Sequence, residues 1–228
     1  MCRPVLLRLY TQVTYVGADN AIYSKAADGS GEAEILAPSE YPNTRLGSWS
    51  PDGEVLMFHA MLNPVFQLFT LRTGGTIERF RTTPFSESRP ELSPDGRWIL
   101  YLSDESGQWE VYLQPYPGPG ERVQVSLAGG RQPSWSRDGH EIFYRAGGDL
   151  MVVLFDAFDE RTEPPVGRPH TLIAGGGQMS NSSFYRYYDA APDAQSFVMV
   201  ASAPSERRRE IRVVLNWLEE LTERLPTE

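Results

Sequence analysis

One short turn recurs along this chain at a fixed interval, and that spacing constrains the fold more than any other feature. Trp49-Ser50-Pro51-Asp52-Gly53 is followed by Leu92-Ser93-Pro94-Asp95-Gly96 and by Trp135-Ser136-Arg137-Asp138-Gly139, so that positions 51, 94 and 137 stand 43 residues apart. A degenerate copy, Ala191-Pro192-Asp193-Ala194, follows after 55 residues. The same interval before Pro51 falls on Arg8, within Leu7-Arg8-Leu9-Tyr10, where the turn residues are missing. Each residue type in the motif has a physical role. Proline pre-sets φ at the second position of a type I turn, serine and aspartate offer oxygens to nearby backbone N–H groups, and glycine supplies the left-handed residue that closes a hairpin.

Strand-like runs follow each turn. Val55-Leu56-Met57-Phe58-His59, Trp98-Ile99-Leu100-Tyr101-Leu102, Glu141-Ile142-Phe143-Tyr144 and Ser196-Phe197-Val198-Met199-Val200 are nearly continuous apolar stretches, the pattern of a strand covered on both faces. Third strands come next, as in Phe66 to Leu71, Trp109 to Leu113 and Leu150 to Phe155, and weaker fourth strands precede the next unit. Four short antiparallel strands in units of 43 to 55 residues make a blade, and repeated blades make an all-β propeller. The expected blades run over residues 1–40, 41–83, 84–127, 128–175 and 180–215, about five in a partial or open ring. Helical solenoids are excluded because no unit holds a ten-residue helical pattern; a two-sheet sandwich leaves the equal spacings unexplained. The tail departs from the repeat. Asn216 can cap a segment in which Trp217, Leu218, Leu221 and Leu225 share one face before Pro226, so a short C-terminal helix is expected over 216–225.

Composition narrows the function classes. Across 228 residues, 21 Lys and Arg oppose 30 Asp and Glu, a net charge of -9 that repels phosphate backbones, so no nucleic-acid partner is expected. No apolar run reaches the length needed to span a bilayer, and Val5 to Leu9 is too short for a signal core. Read as it stands, the chain is soluble, without direct membrane insertion and without an export signal. Cys2 is the only cysteine, which excludes an intrachain disulfide.

Catalytic patterns are sparse. No Gly-x-Ser-x-Gly elbow occurs, and His59 ends a strand, His140 follows a turn glycine and His170 precedes a fourth strand, as ordinary surface or rim histidines would. Asp52, Asp95, Asp138 and Asp193 each sit alone in a turn, without the clustered oxygens of a calcium loop. No metal, cofactor or enzymatic activity is therefore expected. The ligand-binding candidates lie just before each turn, where the inner strand of a blade begins. Arg45, Arg89, Arg131 and Arg186 recur there, and a ring of guanidinium groups can hold a carboxylate or phosphate. Pairing of each arginine with a neighbouring acid is the competing reading. Tyr185, in the run Phe184 to Tyr188, is a further candidate. The residues assigned to the turns themselves are Ser50, Pro51, Asp52, Gly53, Ser93, Pro94, Asp95, Gly96, Ser136, Asp138, Gly139, Pro192 and Asp193.

The Ser-Pro-Asp-Gly repeats, each followed by a strand, resemble the TolB-like or tricorn-like propeller repeats, the WD40-like PD40 group. The stretch Ser93 to Gly148 and the ending Val213 to Leu221 are similar to the C-terminal propeller of bacterial proteins that begin with a serine/threonine kinase or a winged-helix regulator. That resemblance implies a non-catalytic module for protein interaction or ligand sensing, derived from a larger signalling protein, with a protein or peptide partner. Relatives of the kinase-linked kind often carry the propeller outside the membrane. The altered front turn points to an open ring and to self-association through a blade edge. The alternatives are an accessory propeller that gates a prolyl-oligopeptidase or tricorn-type peptidase, and a gene fragment without independent function.

Overall fold

The computed structural model describes residues 3–8 (backbone only), 11–38, 40–118, 120–156, 166–175, 186–194 and 196–200. Their strands follow one another as antiparallel meanders. The first sheet contains β1 (Arg3–Arg8), β2 (Gln12–Val16), β3 (Ile22–Ala26) and β4 (Glu34–Ala37). The second contains β5 (Arg45–Trp49), β6 (Val55–Leu62), β7 (Val65–Arg72) and β8 (Ile77–Arg79). In the third come β9 (Glu87–Leu92), β10 (Trp98–Ser103), β11 (Glu110–Pro115) and β12 (Val123–Gln124). The fourth is built from β13 (Arg131–Trp135), β14 (Glu141–Ala146), β15 (Asp149–Leu154) and β16 (His170–Ile173), and the fifth from β17 (Tyr188–Ala190) and β18 (Phe197–Met199).

Alternation along the second strand of each sheet explains why these sheets pack as blades. In β6, Leu56, Phe58 and Ala60 join Ile22 and Ala37 of the first sheet, while Val55 and Met57 join Ile99 and Tyr101 of the third. The partition repeats one unit on, where Leu100 and Leu102 meet Ile142 and Tyr144 of the fourth sheet. Phe143, on the opposite face of β14, meets Tyr188 of the fifth. Each middle strand therefore supplies apolar side chains to two cores, which is why the runs read as continuous. Burying one such Leu, Ile or Phe stabilises the fold by roughly 1.5–3 kcal/mol.

Three motif copies fold alike. Ser50 Oγ donates to Asp52 Oδ1 (2.5 Å) and accepts the Val55 N–H (2.9 Å), while Asp52 Oδ1 accepts the Glu54 N–H (3.0 Å). Ser93 with Asp95, and Ser136 with Asp138, make the same set of bonds. Gly53, Gly96 and Gly139 close these turns at φ of 73°, 72° and 77°. Although Ala194 replaces glycine and Ala191 replaces serine, the fourth copy is no looser in its backbone. Ala194 takes φ 55° and donates to the Ala191 carbonyl at 2.9 Å.

The expected fold needs correction. The described residues form strands and turns with no helix, and the segment 216–225 lies outside them. The fifth sheet has two strands among the described residues, where four were expected. No apolar cluster among those residues joins it to the first sheet, so the arrangement is an open propeller.

Candidate functional site

The first strand of each sheet is the axial one, because these strands touch one another from blade to blade. β5 and β9 approach so closely that a Cβ added at Gly47 would lie 2.1 Å from the Pro90 carbonyl oxygen. Ser48 Oγ accepts the Leu92 N–H at 2.7 Å. One blade further, Glu91 Oε1 accepts the Trp135 N–H at 3.2 Å. Between the fourth and fifth sheets, Gln132 Oε1 accepts the Tyr187 N–H (3.2 Å) and the Gln132 carbonyl accepts the Tyr188 hydroxyl (2.7 Å). Trp49, Leu92 and Trp135 each end an axial strand and pair with Leu56, Ile99 and Ile142, partners that keep the 43-residue interval.

The arginines lie at the opposite end of these strands from the turns. Arg45 pairs in register with His59, Ser88 with Leu102, and Arg131 with Arg145. Arg45 and Arg131 are thus equivalent, whereas Arg89 stands one residue beyond that position, at a bulge, with φ 57°. Gln132 occupies the matching place in the fourth sheet at φ 53°. Arg45 is exposed, and its Nη1 donates to the Thr44 carbonyl at 2.8 Å. Arg186 reaches past the fourth sheet: it donates to Ser134 Oγ (2.6 Å) and pairs with Glu91 (3.4 Å) and Asp189 (3.5 Å). Of the sequence candidates, then, Arg186 is paired with acids, as in the competing reading. Tyr185 lies outside the described residues.

Two of these arginines act on a buried histidine. His59 is 2% exposed, contrary to the surface or rim placement expected from sequence. Its Nδ1 accepts the Arg89 N–H at 3.3 Å, and its ring meets Phe66 edge-on. Burial, reinforced by the charges of Arg89 and Arg45, pushes His59 down to about 3, so the imidazole is neutral at neutral pH. Arg89 is lowered to about 10 by burial and by the charge of Arg186, against the opposing pull of Glu91. Burial raises the Glu91 carboxyl, although Arg186 works the other way.

His59, Glu91 and Arg145 are not singled out by the sequence as binding residues. The interval of 43 held the signal for two of them, since it projects Arg45 with His59 onto Arg131 with Arg145. The remaining histidines are exposed: His140 lies in the turn before β14 and His170 opens β16, both in the fourth sheet's unit and not beside His59. Among the described residues, no group of three or more His, Cys, Asp or Glu side chains gathers in a metal-binding arrangement.

Comparison with known proteins places the fold. No family model matches the chain. An uncharacterised protein of Agrobacterium fabrum is 26% identical over 216 residues, covering 84% of this chain and 70% of that protein. Among solved structures, a TolB candidate from Agrobacterium tumefaciens matches at TM-score 0.56 and 21% identity over 71% of this chain. TolB from Acinetobacter baumannii matches at TM-score 0.58 and 19% identity over 75% of it. The matched regions span 60% and 42% of those two structures. The chain therefore has a TolB-like β-propeller fold.

Proposed function

We propose that this propeller is a non-catalytic interaction module which receives an acidic segment of a protein or peptide partner at the axial end opposite its turns. The observation that carries this reading is the placement of Arg45, Arg89 and Arg131 at that end, in a chain whose net charge is -9. Guanidinium groups on a rigid sheet suit carboxylate recognition, because the planar fork is held in place and loses little freedom on binding. The net negative charge of the chain adds selectivity by disfavouring acidic segments that approach without such a contact. The non-catalytic part of the reading draws on the wide separation of the histidines and on the neutral, enclosed state of His59.

Anisotropy titration of a fluorescein-labelled acidic peptide, against a basic peptide of equal length, tests the binding. The acidic peptide should bind and the basic one should not. Replacing Arg45 and Arg89 together with alanine should weaken binding roughly tenfold or more. Equal binding of both peptides, or an unchanged affinity in the double variant, would overturn the reading. Labelling by a fluorophosphonate probe would contradict its non-catalytic part.

A further inference from the structure

We propose that the fourth blade holds an oxyanion site, in which Arg131 and Arg145 together grip a carboxylate or phosphate group. This deepens the interaction reading above and rests on it. Arg131 and Arg145 are direct partners across β13 and β14, so their side chains leave the same face of the sheet. Like charges placed directly opposite each other destabilise a strand pair. The matching positions avoid that repulsion, because Arg45 faces a neutral His59 in the second sheet and Ser88 faces Leu102 in the third.

Arg145 feels the charge of Asp149, yet two of its donors are left unfilled. Its residue is 4% exposed, and its Nη2 donates to the Gly148 carbonyl. The Nε and Nη1 donors are buried without a hydrogen-bond partner. Among the described residues, neither Arg131 nor Arg145 forms an ion pair with a carboxylate. A guanidinium cannot shed its charge as a buried lysine can, so enclosure without an anion is costly and cannot be relieved by deprotonation. An oxyanion between the two groups would turn the repulsion into charge-assisted hydrogen bonds. The half-buried Arg131 supplies the open side of the site toward the axial end. Carboxylate from a partner's acidic residue and free phosphate share this chemistry.

Thermal unfolding of the whole chain at constant ionic strength, held with sodium chloride, tests the site with two probes. One is inorganic phosphate and the other a blocked peptide with an Asp-Glu centre. A saturable rise in melting temperature is expected with at least one of them. Its concentration midpoint should move roughly tenfold or more in Arg131→Gln, and the rise should vanish in Arg145→Met. Without either probe, Arg145→Met should melt at or above the wild-type temperature, since it removes a buried charge with two unfilled donors at similar volume. Response to phosphate alone identifies a free anion as the ligand, and response to the peptide alone identifies a partner carboxylate. No saturable rise with either probe, or identical midpoints in wild type and Arg131→Gln, overturns the site. In that event, acidic-peptide binding still lost on changing Arg45 and Arg89 leaves the interaction reading intact; loss of both fails the two together.

Discussion

The axial strands have two unlike ends. At one end Ser50 to Gly53, Ser93 to Gly96 and Ser136 to Gly139 repeat the same bonds, each serine and aspartate satisfied within its own turn. These turns also touch their neighbours: a Cβ at Gly96 would lie 3.2 Å from Pro51, and one at Gly139 would lie 3.4 Å from Pro94. At the other end the equivalent positions hold Arg45, Ser88 and Arg131, facing His59, Leu102 and Arg145. Repetition marks the end where every blade solves the same folding problem. Where the blades differ, burial of charge raises the free energy of the fold, and binding offers a reason to retain it.

The largest effect expected from disturbing the regular frame comes from Gly47. Gly47→Ala would set a Cβ 2.1 Å from the Pro90 carbonyl, and urea denaturation should report a loss of roughly 3 kcal/mol or more. Gly148→Ala is the control, since its Cβ would meet nothing within 4 Å and stability should change by less than about 0.5 kcal/mol.

Next comes a pH effect confined to the irregular end. His59 titrates at about 3 in the fold against 6.5 for a free side chain, so below pH 6.5 the unfolded chain gains a proton that the native chain refuses. Stability should therefore drop as the pH is lowered below 6.5, by up to roughly 1.4 kcal/mol per pH unit once the unfolded histidine is protonated. Glu87 and Glu91, both raised chiefly by burial, act in the opposite sense in more acid solution, so the effect is read best above about pH 5. His59→Leu should flatten the slope in that window; an unchanged slope would mean that the imidazole is not held neutral.

Ser93→Ala probes the regular end more gently. It strips the acceptor from the Trp98 N–H (3.0 Å) and the donor from Asp95, and should cost about 1–3 kcal/mol in the same denaturation experiment without altering acidic-peptide binding. A change in peptide affinity would show that the two ends are not separable.

Much of the frame is legible in the sequence because its causes are local. Proline, aspartate and glycine set turn geometry within a few residues, and Leu56 to Phe58 are apolar without a break because two blades claim alternate side chains. The axial end is less legible because its contacts are remote. Arg186 finds Glu91 across an intervening sheet, a pairing that no local pattern encodes. The offset of Arg89 is legible by counting: Arg45, Arg131 and Arg186 stand five residues before the first turn position and Arg89 four. Its left-handed conformation beside His59 is not. His59 read as a rim residue because it closes an apolar run, whereas β6 continues to Leu62 and carries it inside. The expected C-terminal helix extended the logic of an apolar face and a cap to residues outside the described ones, while the described chain is built of sheets throughout.

Hydrogen–deuterium exchange of the whole chain with and without a saturating acidic peptide tests most directly whether the two ends divide folding from binding. Slowed exchange at 44–46, 87–91 and 130–134, with no change at 50–53, 93–96 and 136–139, is the result expected if the ligand seats on the arginine end. Protection of the turns with the arginine-bearing segments unchanged would contradict it.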